Sequence, residues 1–190
     1  WQPGKRFLVI DEKASVVLRP ADGSFDNLKG KVISYIKVEP RRTPAGAEEA
    51  SILFSGEGKI LYYTTGRSVA DSRREVSASD IPMLIDLDLV DKAARLLSGK
   101  KVWTMSSLWY DAADNLMRGV KFVPVTITGV TPGNKVFPLR VSFTDSDGMD
   151  AGMWMSVRSE GSQAGSGASR WFGNLFSLSD PRLGHPDMDD

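Results

Sequence analysis

Cysteine is absent from this 190-residue chain, and histidine occurs once, at His185. Disulfides, Cys-ligated zinc and thiol catalysis are thereby ruled out, and a His-rich metal centre or a Ser/His/Asp relay is nearly excluded. Long apolar runs are missing too. Phe7 to Ile10 and Val120 to Val125, the latter broken by Lys121, fall far short of the roughly 18 residues that a membrane span needs. Nor is there an excess of charge of one sign: 24 basic and 24 acidic side chains cancel. No global field then draws the chain to nucleic acid, which is not an expected partner. The Ser and Asp residues form no nucleophile elbow and no carboxylate pair. No catalytic residue, metal ligand or cofactor is therefore expected.

What the chain does have is a succession of short β-type segments. Phe7 to Ile10 and Val16 to Leu18 are apolar runs closed by Pro20-Ala21-Asp22-Gly23, and Gly30 to Val38 is rich in β-branched residues and ends at Pro40. The polar decade Arg41 to Ala50 reads as a loop. Ser51 to Phe54 and Lys59 to Thr65 flank Ser55-Gly56-Glu57-Gly58, a hairpin spacing. Then the period changes. After a helix-entrance pattern at Ser79 to Pro82, apolar residues Leu89, Val90, Ala93, Ala94, Leu96 and Leu97 fit one short amphipathic helix from about Leu89 to Ser98, with Gly99 placed to cap it. Strand patterns resume at Lys101 to Met105, Leu108 to Tyr110 and Val120 to Val130, with a turn at Asp111 to Asn115. Phe137, Leu139, Val141 and Phe143 alternate with polar residues, and Pro138 favours an edge position for that strand. A last strand is expected from about Gly152 to Val157.

The halves resemble each other. Leu28-Lys29-Gly30-Lys31-Val32 matches Leu97-Ser98-Gly99-Lys100-Lys101-Val102, and Ile52 to Ser55 matches Val141 to Thr144. The second pair is separated by about twenty more residues than the first, which places an insertion in the second copy. The expected fold is mainly β: two SH3-like five-stranded antiparallel barrels joined by a short helix, with a single β-sandwich as the alternative. The boundaries put the first barrel at residues 5–75, a connecting segment with the helix at 76–99 and the second barrel at 100–158, followed by a flexible linker and aromatic tail at 159–190. Ser159 to Ser169 has linker composition. Trp171, Phe172, Leu175 and Phe176 are expected to dock on a barrel or on a neighbouring chain.

Candidate ligand-binding residues are aromatic: Trp109, Tyr110, Trp103 and Tyr35, with Tyr62 and Tyr63 as further candidates to line a groove. Aromatic faces on small barrels hold extended peptides or sugar rings, although alternation sends about half of such residues into a core. Trp109-Tyr110 is favoured because neighbouring strand residues point to opposite faces. Asp145, Asp147 and Asp150 around Gly148 have the oxygen donors that calcium uses. The distal Glu is missing, and an Asp-Gly hairpin accounts for the same residues. Arg41-Arg42 and Arg73-Arg74 read as solvated loop charge, and His185 as part of a terminal stretch without preorganised ligands.

Leu108-Trp109-Tyr110-Asp111, Lys121 to Ile127, Pro132 to Val141 and Leu175-Phe176-Ser177-Leu178-Ser179-Asp180-Pro181-Arg182 together resemble a group of poorly characterised Bacteroidetes envelope proteins. The matching segments cover roughly the second half of the chain. In that group the tail usually leads into a small α/β segment similar to outer-membrane assembly lipoproteins. This sequence stops before such a segment, and no catalytic residues carry over. The resemblance implies periplasm or cell surface, and the start at Trp1-Gln2-Pro3-Gly4 implies that a signal peptide was removed or left out. The expected function is a non-enzymatic envelope binding or scaffold protein whose partner is cell-wall glycan, peptide or another envelope protein. The alternative is an accessory domain of an enzyme whose catalytic part lies outside this chain, and an acid-based hydrolase using Asp111 and Asp114 ranks below both.

Overall fold

The computed structural model describes residues 1–20, 27–66, 68, 81, 83–156 and 170–183. Contact density divides the chain into two compact units, Trp1–Asp88 and Leu89–Asp190. Each is built on one antiparallel sheet, and the protein is mainly β.

In the first unit the strands are β1 (Arg6–Val9), β2 (Arg19–Pro20), β3 (Val32–Arg42), β4 (Glu48–Gly56), β5 (Lys59–Thr64) and β6 (Leu84–Asp86), in the order β2-β5-β4-β3-β1-β6. Alternation drives the inward set Phe7, Val9, Ile33, Ile52, Phe54 and Leu61 into one core. Three readings change here. Val16 to Leu18 is not a strand: α1 (Ala14–Val17) is a single helical turn, because Ala14 and Leu18, four apart, are buried while Val16 and Val17 face solvent. Arg41 to Ala50 is mostly sheet. The β3–β4 hairpin runs on to Arg42 and resumes at Glu48, with opposite charges facing across the ladder at Arg41↔Glu49 and Arg42↔Glu48. Leu84–Asp86, expected in the connecting segment, pairs with β1.

α2 (Leu87–Leu97) follows β6 directly, with Asp88 in its first turn and Arg95 in its last, where they suit the helix dipole. Its start is two residues earlier than the pattern suggests. The expected entrance at Ser79 to Pro82 lies, apart from Ile81, outside the described residues.

The second unit contains β7 (Lys101–Thr104), β8 (Leu108–Tyr110), β9 (Leu116–Arg118), β10 (Pro124–Pro132), β11 (Leu139–Asp145) and β12 (Asp150–Met155), then α3 (Phe172–Leu175) and β13 (Phe176–Ser177). Its order is β13-β7-β10-β11-β12-β8-β9. β11 is a central strand between β10 and β12, not an edge. Pro138 is tolerated because it precedes the first ladder residue, Leu139, and uses only its carbonyl, which accepts from Gly133 N at 2.9 Å. The aromatic tail docks as expected: Leu175 and Phe176 are buried, Trp171 and Phe172 half-buried, and Phe176 pairs with Thr104. The expected linker at Ser159 to Ser169 lies outside the described residues.

Six strands of each sheet share one order, and β9 adds a further edge strand to the second. A three-stranded meander (β3-β4-β5; β10-β11-β12) carries on its first strand the strand that opens the unit (β1; β7), and beyond that the strand that closes it (β6; β13). Its third strand carries a short strand from the excursion between opening strand and meander (β2; β8). Ile52 to Ser55 and Val141 to Thr144 occupy equivalent middle strands, β4 and β11. Leu28 to Lys31 and Leu97 to Lys100 do not occupy equivalent positions. They are the same turn, with Gly30 at φ 80° and Gly99 at φ 79°, but the first feeds β3 and the second β7. In both, the glycine N–H donates to the facing strand, to Val9 O at 2.8 Å and Ile127 O at 2.7 Å. The antiparallel pair of opening and first meander strands can take this turn on either member, which explains the unequal spacing. Among the described residues the sheets have six and seven strands, against the five expected.

Candidate functional site

Val141, Phe143, Ala151, Met153 and Trp109 turn to the core of the second unit, so alternation turns Arg140, Ser142, Gly152, Trp154 and Tyr110 to the opposite face. Arg140 lies across Gly152, where a Cβ would overlap its guanidinium, and so reaches the β8–β9 hairpin. There Nε donates to Asp114 Oδ1 at 2.7 Å and Nη2 to Asp111 O at 2.7 Å and Tyr110 O at 3.4 Å, while Nη1 donates to Val141 O at 3.2 Å. Its charge also sits 5.4 Å from the Trp154 ring centre. Trp154 meets Tyr110 edge-on at 6.2 Å.

A second arginine extends this array. Arg170, just before α3, places its guanidinium 5.5 Å from the Tyr110 ring and 5.3 Å from the Phe137 ring. The result is a continuous row of rings and cations, Phe137, Arg170, Tyr110, Trp154 and Arg140, drawn from β8, β11, β12, the turn before β11 and the tail. All three rings are half-buried. Below them the hairpin loop is tied by Asp111, whose Oδ1 accepts from Ala113 N and Asn115 N, each at 2.9 Å. The Asn115 side chain is the main reason that the Asp111 carboxyl lies below the usual carboxylate range; the Asn115 and Ala113 amides and the Arg140 charge act the same way, and burial opposes them.

The structure separates the aromatic residues singled out from sequence. Tyr110 belongs to the array. Trp109 does not: at 1% exposure it is a core side chain, set edge-on to Phe143 at 5.1 Å, with Nε1 donating to Ser106 O. The choice between the neighbours went to Tyr110 because β8 must bury one face, and Gly119 leaves a flat space that the indole fills. Trp103 is half-buried on β7, under the Arg182 guanidinium at 5.3 Å. Arg182 also pairs with Asp180, and this bond holds the Asp180 carboxyl below its ordinary value. Tyr35 lies in the other unit, half-buried among Trp1 and Phe54, and Tyr63 packs on that same core. Arg140, Phe137, Trp154 and Arg170 join the array without having been marked as ligand-binding candidates by the sequence pattern. Arg140 was readable as an outward position on the strongest strand pattern, but nothing in sequence joins Arg170 to Tyr110, sixty positions away.

Two further concavities lie among the described residues of the first unit. The cavity among Ser15, Leu18, Leu28 and Leu61 holds about 10 Å³, no more than one water. An open depression of about 600 Å³ is bounded mostly by Trp1 to Lys5. The Asp145 to Asp150 segment is a hairpin turn, with Asp145 Oδ1 accepting from Asp147 N and Met149 N and Gly148 at φ 81°. Among the described residues no group of three or more His, Asp or Glu side chains is placed to hold a metal ion, and no helix is long and apolar enough to cross a membrane. Comparisons with protein-family models, with curated proteins and with solved structures gave no match.

Proposed function

We propose that the chain is a non-enzymatic binding or scaffold protein of the bacterial envelope, in the periplasm or at the cell surface. It is composed of two SH3-like barrels in tandem and related to the Bacteroidetes group that its second half resembles. The strand order common to both sheets supports the tandem reading: opening strand, excursion, three-stranded meander and closing strand recur in each unit. The observation that carries the binding reading is the outer face of the second sheet. Three half-exposed rings and two arginines gather there, whereas the interior is filled by aliphatic and aromatic side chains. A surface of aromatic and arginine side chains is the usual composition of a recognition patch, and small β-barrels present such patches to extended ligands. The partner is cell-wall glycan, peptide or another envelope protein.

Retention of envelope extract and cell-wall sacculi by the immobilised chain tests this. Tyr110→Ala and Trp154→Ala are each expected to reduce retention at least tenfold while the fold, followed by circular dichroism, is kept. Absence of retained material, or equal retention by both variants, would overturn the reading. Trp109→Ala is unsuitable for this purpose because it empties the core.

A further inference from the structure

The two arginines of the outer face are equally buried, Arg140 at 8% and Arg170 at 7% exposure, yet their chemistry differs. Arg140 has a carboxylate, Asp114, and three carbonyl oxygens. Among the described residues Arg170 has only neutral partners at long range, the Tyr110 hydroxyl at 3.3 Å and Leu108 O at 3.4 Å, and its buried Nε has no acceptor. Ser156, whose N–H donates to Arg170 O at 2.7 Å, also has a buried hydroxyl without a partner among the described residues. A cation withdrawn from water is costly unless a counter-charge meets it. Stacking on Tyr110 and Phe137 offsets part of that cost but supplies no negative charge.

We propose that this face receives an acidic peptide segment of a partner protein, whose carboxylate pairs with the Arg170 guanidinium. The inference rests on the binding reading above and names the chemistry of its ligand. Carboxylates are the natural complement of a guanidinium fork, and the bond is charge-assisted. A peptide fits better than a sugar. Pyranose rings need an uncovered aromatic face, and here the guanidinium of Arg170 stands by Tyr110 and Phe137, and that of Arg140 by Trp154. Beside Tyr110, Leu108 and Leu116 are 43% and 60% exposed, which gives apolar side chains of an extended peptide a place to rest. Exposed Arg118, opposite Leu108 on the hairpin, adds positive charge.

The test is a nitrogen-15 NMR titration of the full chain, following the Arg170 Nε–H resonance. Three probes are used: acetyl-Glu-Leu-Glu-amide, its Gln-Leu-Gln counterpart, and glucuronate. The expected result is a saturable shift with the Glu peptide, at least tenfold weaker binding of the Gln peptide, and at least tenfold weaker Glu-peptide binding by Arg170→Lys. No shift with the Glu peptide, equal binding of both peptides, or a response to glucuronate alone overturns the proposal. The wild-type titration decides the matter even if Arg170→Lys fails to fold. The extract experiment separates the two ideas: a partner released by Tyr110→Ala but held unchanged by Arg170→Lys removes the carboxylate proposal and leaves the binding reading standing.

Discussion

Arg140 passes directly over Gly152 to reach Asp114, so one strand of the second sheet is fastened to the β8–β9 hairpin across a backbone position where a Cβ would overlap the guanidinium. Three positions that look unremarkable in sequence thus act as one device. The glycine removes a Cβ, the arginine crosses, and the hairpin loop supplies a carboxylate and two carbonyl oxygens.

Gly152→Ala is expected to displace the Arg140 side chain and to destabilise the second unit by about 2 kcal/mol or more, through loss of several hydrogen bonds around a buried charge. Asp114→Asn, which keeps the arginine's carbonyl partners, should cost less, about 1 kcal/mol, because Asp114 is half-exposed. Urea denaturation of the three proteins checks the ranking. A Gly152→Ala protein as stable as the wild type would show that the arginine has another path.

Trp109→Ala is expected to cost about 3 to 5 kcal/mol, the range for emptying a large aromatic site in a packed core. Gly119→Ala should also destabilise, because its Cβ would enter the Trp109 ring. The double variant should cost less than the sum of the two, since without the indole the added methyl has space. Chemical denaturation of the cycle measures that coupling.

Exchange of the Met105 and Ser156 amides reports on the tail. Their N–H groups donate to Leu175 O and Arg170 O, each at 2.7 Å, so both are expected to be protected, and Phe176→Ala should speed their exchange together, at a cost of about 3 kcal/mol for a Phe to Ala change in a core. Fast exchange in the wild type would mean that the tail is not docked.

Acid should loosen the hairpin loop. The folded-state pKa of Asp111 is depressed by Asn115, so its contribution is complete above the ordinary carboxylate range and disappears as pH falls through the lowered folded value. Asn115→Ala is expected to raise the Asp111 pKa toward its ordinary value. Carbon-13 NMR of the carboxyl measures the change, and an unaltered titration would show that the amide does not control it.

Glu57 has φ 50° in the β4–β5 turn, with Gly58 at φ 75°. Asn is favoured over Glu at a left-handed turn position before glycine. Glu57→Asn gives up an exposed pair with Lys31 at 3.2 Å, which contributes little, so a net gain of about 0.5 kcal/mol is expected in thermal or urea unfolding. Destabilisation would show that the ion pair outweighs the turn.

Local pattern fixed much of this molecule before any tertiary contact. Alternation along Leu139 to Phe143 set which side chains enter the second core; Gly58, Gly99 and Gly148 set turns at the places where positive φ was needed, and the period change at Leu89 marked the helix. Those signals are short-range, because a strand's faces and a turn's dihedral angles depend on a few adjacent residues. Other features depended on pairing between distant segments. Val16 to Leu18 has β-branched character, yet burial of Ala14 with Leu18 made it helical. Arg41, Arg42, Glu48 and Glu49 read as loop until opposite charges faced each other across the hairpin. Trp109 and Tyr110 are neighbours, and only the space above Gly119 decided which became core. The outer-face array needed even longer closures, since Arg170 meets Tyr110 and Phe137 only after the tail returns to the second sheet as its closing strand. No periodicity within one segment encodes such a meeting, because it is selected by the free energy of burying Leu175 and Phe176 against a surface made elsewhere in the chain.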